Sequence, residues 1–313
     1  MNGAGLRGVL PVVSTPFADD ETVDVGSLAD EIEWLRSQHV DGLTVAMVSE
    51  VLRLSDHERR ALAEVVCRLA ATGDPPLPVG VSVGAESTAV AVALARDAES
   101  VGAAAVMAIP PTSVATTDPQ LRGYFAAILS AVNLPLVVQD ASGYVGTPIP
   151  VGTYVALLEE FGADRVLAKP EAQPLGPRLS ALRAATGGEL LVFEGMGGLA
   201  LVDGFGRGVV GTMPGPEVPW AVVALWQALQ DGRTDDADAI HARLAALLAL
   251  QTSLDSFVAV EKHLLVAQGV LSSARRRGPV GFDLDDATAD LALRLMKRLQ
   301  STVDQVNRRP GTG

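Results

Sequence analysis

The chain has 313 residues, 48% of them hydrophobic and 19% charged, enough apolar material for one large domain or two ordinary ones and too much for a disordered chain. A net charge of −13 argues against a nucleic-acid surface, which needs clustered positive charge to displace counterions. The single cysteine, Cys67, excludes an internal disulfide framework and a cysteine-rich metal site.

The chain opens on MNGAGLRGVL, without the charged start and long apolar stretch of a signal peptide. No run of about 20 apolar residues follows, so the expectation is a cytoplasmic protein without a membrane span. Unalternating apolar runs then recur, as parallel strands buried on both faces require. They lie at 8–14 (GVLPVVS), 42–47 (GLTVAM), 77–83 (LPVGVSV) and 103–109 (AAAVMAI). Four more follow at 134–139, 165–169, 190–195 and 208–213.

Helical patterns separate these runs. The segment from Ser55 carries Glu58 three residues later, the capping-box spacing, and Cys67 falls within its amphipathic pattern as a buried helical thiol. The pattern at 86–102 ends on Gly102, a C-terminal cap. Eight runs with intervening helices have the rhythm of an α/β chain folded as a (β/α)8 TIM barrel. A doubly wound dinucleotide-binding sheet is the rival, but G-x-G-x-x-G is missing after the first strand. The glycine-rich stretch at 195–208 reads as a loop opening a short helix. Beyond residue 216 only helical periodicity remains, at 218–232, 234–253, 254–269 and 285–305. The expected organisation is a barrel over 1–230 and a C-terminal helical appendage over 231–313 packed on it.

Among 24 basic residues only Lys169, Lys262 and Lys297 are lysines. Lys169 ends the sixth run behind Val166, Leu167 and Ala168, where a barrel presents its functional groups. Apolar surroundings disfavour an ammonium, and the neutral amine condenses with a ketone to an imine, an electron sink for making or breaking bonds. The bland reading is a loop lysine paired with Glu171. Lys262 and Lys297 sit in amphipathic helices and read as helical surface residues. The histidines His39, His57, His241 and His263 are dispersed, without metal-ligand spacing. No serine nucleophile elbow and no cofactor motif occurs, so neither metal nor organic cofactor is expected.

The motifs together resemble the dihydrodipicolinate synthase/N-acetylneuraminate lyase family of class I aldolases, collinearly from about residue 6 to at least 270. VSTPF (13–17) is similar to that family's first-strand T-P-F, and DGLTVAMVSEVLRLSDHER (41–59) to its D-G…G-T-T-G-E…E-R segment. LPLVVQDASGYVG (134–146) falls on L-P-v-i-l-Y-N-x-P-x-R-x-G, LAKPEA on the Schiff-base strand, and GVVGTMPG, with Met213, on the eighth strand. The resemblance implies a covalent imine between Lys169 and pyruvate or a related 2-oxo acid, with the carboxylate held at Met47, Val48 and Ser49. It also implies a homodimer or homotetramer.

Departures from the family pattern bear on specificity. Gln139 stands at the family's fifth-strand tyrosine, and Thr112 or Ser113 at a tyrosine lent across a dimer interface. Tyr144 stands at an arginine that grips a second substrate's carboxylate, which lowers the standing of dipicolinate-pathway synthesis. It is either a replacement phenol or a simple loop residue. Glu171, after Pro170, is either a pocket acid or base or a partner of the lysine at the rim. The activities implied are cleavage of a 2-keto-3-deoxy sugar acid, then dehydration of such an acid, then synthesis of the dipicolinate type. A barrel that only binds a keto acid is the reading outside enzymes.

Overall fold

The computed structural model describes residues 5–143 and 146–308. Eight strands run in chain order: β1 (Gly8–Val9), β2 (Leu43–Val45), β3 (Val79–Ser82), β4 (Ala105–Ala108), β5 (Leu136–Asp140), β6 (Val166–Pro170), β7 (Leu191–Glu194) and β8 (Gly211–Thr212). All pairs are parallel, in the order β1-β8-β7-β6-β5-β4-β3-β2. The two ends of that series meet at a parallel bridge between Val12 and Thr44. There Val13 N donates to Thr44 O at 2.9 Å and Thr44 N to Pro11 O at 2.8 Å, closing the ring into the expected barrel. The β1–β8 seam is tight: a Cβ on Gly211 would lie 2.1 Å from Gly8 O, so only glycine closes it.

Each strand is followed by a helix: α1 (Val25–Ser37), α2 (Asp56–Thr72), α3 (Thr88–Ser100), α4 (Asp118–Ala131), α5 (Val151–Phe161), α6 (Leu175–Ala185), α7 (Leu201–Gly206) and α8 (Pro219–Gln230). The local signals do what their chemistry predicts. Ser55 N donates to Glu58 Oε2 at 2.8 Å while the Ser55 hydroxyl receives Glu58 N, a reciprocal cap on α2. Gly102 takes a φ of +86° just past α3, where a side chain would be strained. Cys67 is buried on α2, and burial pushes its thiol up to about 11.

Alternation along the strands separates two cores. In β6, Val166 and Ala168 pack outward against the helices, while Leu167 joins Leu10, Val137 and Phe193 inside the barrel. Side chains two residues apart share a face, so Lys169 follows Leu167 inward and Gln139 follows Val137.

Three helices follow the barrel: α9 (Thr234–Leu248), α10 (Leu254–Ala267) and α11 (Asp286–Arg308). α9 and α11 pack on α8, and α10 lies against the 3₁₀ turn Met47–Ser49 that follows β2. Among the described residues no helix is long and apolar enough to cross a membrane.

Candidate active site

Lys169 and Gln139 are register partners in β6 and β5, at the C-terminal ends of both strands. The strand pairing continues one step beyond Pro170, where Glu171 N donates to Asp140 O at 2.9 Å. Proline has no N–H to lose at the intervening position, and two residues of extended chain return Glu171 to the face of Lys169. The result is a buried ion pair, Lys169 Nζ to Glu171 Oε1 at 2.6 Å, with the two residues 4% and 2% exposed. Glu171 is therefore inside the barrel mouth and not at its rim.

Gln139 Nε2 donates to both Glu171 oxygens, at 3.2 and 3.3 Å. A carboxylate only accepts, so the amide must turn its nitrogen to Glu171, and its buried Oε1 has no partner among the described residues. Burial raises the Glu171 carboxyl above its ordinary value, Lys169 and Gln139 oppose that rise, and the Glu194 carboxylate adds to it. Glu194, at the end of β7, is buried and fully engaged: it accepts from Met196 N, Gly198 N, Ala200 N and the Thr212 hydroxyl. It thereby shapes the glycine loop that follows. A Cβ on Gly195 would sit 2.7 Å from Glu171 Oε1 and 2.9 Å from Lys169 Cε, so the space beside the pair exists because residue 195 has no side chain.

The pocket over this pair is lined by Met47, Val48, Gln139, Lys169, Glu171 and Met213, all named from the sequence. Its remaining walls are Val12, Ala46, Gly195, Gly197, Pro214, Gly215, and Leu254 and Phe257 of α10. The two α10 residues carry no sequence signal beyond ordinary helical periodicity. Leu254 packs with Met47, Ile109 and Ala141 into an apolar cover.

Three expected residues are used otherwise. The Ser49 hydroxyl donates to Val13 O at 2.6 Å and receives Ala46 N at 3.1 Å, so it fastens the turn to β1 and does not line the pocket. Thr112 and Ser113 are exposed and hold Glu86, through hydroxyl and N–H groups, away from the pocket lining. Those four donors lower the Glu86 carboxyl to about 2. Tyr144 lies outside the described residues. The other two tyrosines are structural: Tyr124 bonds both backbone groups of Ala85, and Tyr154 is fully buried in α5.

Lys262 is the clearest departure from expectation. It is not on the helix surface but 0% exposed, with Nζ 2.5 Å from Glu50 Oε1, 2.7 Å from Thr15 O and 2.8 Å from Arg275 O. Lys297 is exposed.

A sequence model of the Dihydrodipicolinate synthetase family matches residues 5–298. The chain belongs to that family. It is 30% identical over 305 residues to an L-2-keto-3-deoxyarabonate dehydratase of Azospirillum brasilense, covering 95% of this chain and 96% of the relative. It is 32% identical over 245 residues to a 4-hydroxy-tetrahydrodipicolinate synthase of Thermomicrobium roseum, covering 77% and 78%. The crystal structure of a dihydrodipicolinate synthase from Rhodopseudomonas palustris superposes with a TM-score of 0.85 at 26% identity, covering 94% of this chain and 98% of that one. As a dihydrodipicolinate synthetase family member the chain is a lyase of the class I aldolase type, acting on pyruvate or a related 2-oxo acid.

Proposed function

We propose that Lys169 is the imine-forming lysine and that this site dehydrates a 2-keto-3-deoxy acid. The observation that carries the reading is the buried Lys169–Glu171 contact of 2.6 Å, with Gln139 on the same carboxylate and a tyrosine missing from that position. A short charge-assisted hydrogen bond is a path for a proton. Glu171 takes one proton from the ammonium, and the freed amine attacks the keto carbon C2. The carbinolamine then loses water to give the iminium, with the proton returned by Glu171. The iminium acidifies the C3–H bond, Glu171 removes that proton, and the enamine expels the C4 hydroxyl as water with the same proton. Hydrolysis of the conjugated iminium regenerates Lys169. One water is lost overall and no redox partner is needed.

The substrate carboxylate fits the start of the Met47–Ser49 turn, where the N–H groups of Met47 and Val48 have no acceptor within the turn. Gln139 Oε1, without a partner among the described residues, suits a substrate hydroxyl. Among the lyase reactions, this arrangement favours elimination over carbon–carbon cleavage, because a carboxyl that carries one proton serves both the C3 deprotonation and the departing C4 oxygen. A relative 30% identical over 95% of this chain is described as a dehydratase, which supports the same choice. A homodimer or homotetramer belongs to this proposal, with size-exclusion chromatography as its check.

Reduction with borohydride in the presence of pyruvate tests the lysine: the peptide holding Lys169 gains the mass of the reduced adduct, and Lys169→Met gives none. Incubation with a 2-keto-3-deoxy sugar acid then separates the reactions. Loss of water without pyruvate release is the expected result; stoichiometric pyruvate release would replace dehydration by cleavage.

A further inference from the structure

We infer that Lys262 is a positioning residue for the active site: from α10 it fixes the two strands of chain that hold the carboxylate-binding turn. The inference rests on the reading of Lys169 as the imine-forming lysine. Lys262 spends all three ammonium donors, on Thr15 O, Glu50 Oε1 and Arg275 O, and its Nζ lies 4.6 Å from the Phe17 ring centroid. Two of those three contacts lead directly to the turn. The Thr15 hydroxyl donates to Ser49 O at 2.6 Å. Glu50 follows Ser49 and closes the turn by donating its N–H to Met47 O at 3.0 Å.

Glu50 does so with a φ of 55°, a left-handed conformation that a residue with a side chain adopts only when its surroundings enforce it. The enforcement is visible: one carboxylate oxygen is bound by Lys262 and the other receives Arg277 N at 3.2 Å. The same helix carries Leu254 and Phe257 into the pocket wall. Lys262 thus couples the cover of the pocket to the backbone N–H groups of Met47 and Val48, and its compact ammonium meets three acceptors that a planar guanidinium would not fit.

The test is pyruvate trapping by borohydride as a function of pyruvate concentration, with pyruvate methyl ester as a competitor that lacks the carboxylate. In Lys262→Met the half-saturating pyruvate rises about tenfold, and the preference for acid over ester falls by a similar factor. The limiting trapping rate changes by less than about threefold, since Lys169 itself is untouched. Leu299→Ala, a cavity at a buried side chain of α11 outside the pocket lining, serves as the stability control: it lowers Tm without moving either ratio. Glu50→Gln keeps the shape but removes the charge, shifts both ratios in the same direction by about threefold, and decides the question if Lys262→Met does not fold. Unchanged half-saturation and selectivity in a folded Lys262→Met, in Glu50→Gln when Lys262→Met does not fold, or an equal shift in Leu299→Ala, would overturn the inference alone. Failure to trap pyruvate on wild-type Lys169 would overturn the reading of the site, and this inference with it.

Discussion

Two buried lysines, each about one hydrogen-bond length from a buried glutamate, have opposite surroundings in this chain. Lys169 contacts Glu171 at 2.6 Å and itself lines the pocket. Lys262 contacts Glu50 at 2.5 Å and two carbonyl oxygens besides. An ammonium with donors to spare beside an open pocket exchanges a proton with its partner and meets a ketone. One whose three donors are all used is held in place and holds its acceptors in turn. Burial and pairing are therefore shared features; the number of satisfied donors separates reactivity from architecture.

The same contrast extends to the acids. Burial raises the Glu171 carboxyl above its ordinary value, with Lys169 and Gln139 opposing the rise. Around α10, burial pushes Glu31 up to about 8, with the Ser14 N–H and the Lys262 ammonium opposing the rise, and also raises Glu217 and, on α10 itself, Glu261. None of these three acids is among the described residues that line the pocket, although Glu217 Oε2 reaches Gly215 of its wall.

The largest expected effect is at Glu171. Glu171→Gln preserves volume and hydrogen bonding but carries no transferable proton, so kcat falls by about 10²–10⁴-fold while the fold persists. Slow trapping of pyruvate on Lys169 continues. A kcat within a factor of a few of wild type would reduce Glu171 to a counter-ion and make the two lysine pairs alike.

Gly195→Ala is next. The added methyl must displace Glu171 Oε1 or Lys169 Cε, which lie within 2.9 Å of its position, at a cost of about 1–3 kcal/mol. The expectation is about a tenfold loss in kcat with a drop of a few degrees in Tm, because a misplaced reacting group lowers rate sharply. Normal kinetics would mean that the pair tolerates displacement as a structural salt bridge does.

Glu31→Gln has the smallest effect on rate and is seen only in the pH dependence of stability. With its carboxyl at about 8 in the folded protein against an ordinary 4.5, the folded state keeps a proton that the unfolded state releases between those values. Stability therefore falls as pH rises through that window, by at most about 1.4 kcal/mol per unit, and the loss is complete above it. Glu31→Gln removes the Glu31 share of that slope, so thermal melts between pH 5 and 8.5 spread less for the variant than for wild type, the remainder coming from Glu217 and Glu261. Gln still accepts from Ser14 N, so the local fold is retained.

Much of this molecule follows from short-range pattern. Eight apolar runs and the Ser55–Glu58 cap are local, and the alternation in VLAKPEA puts Lys169 and Glu171 on one face of one strand two residues apart. Gln139 needed only strand order and register to join them. Leu254 and Phe257 were not legible, since a residue that covers a pocket from another element has the same periodicity as any core residue of its helix. Thr112, Ser113 and Ser49 have hydroxyls that chose nearby partners, Glu86 and Val13 O, which composition and spacing do not reveal.

By itself the sequence determined the barrel and the kinship of the chain, and it marked the end of β6 as the place of the proposed chemistry, because each depends on periodicity and order along a continuous stretch. Only the tertiary structure decided that Lys262 is interior. The partners that make its burial tolerable, Thr15 and Glu50, lie 247 and 212 residues away, and a charge leaves water only where its acceptors are already assembled.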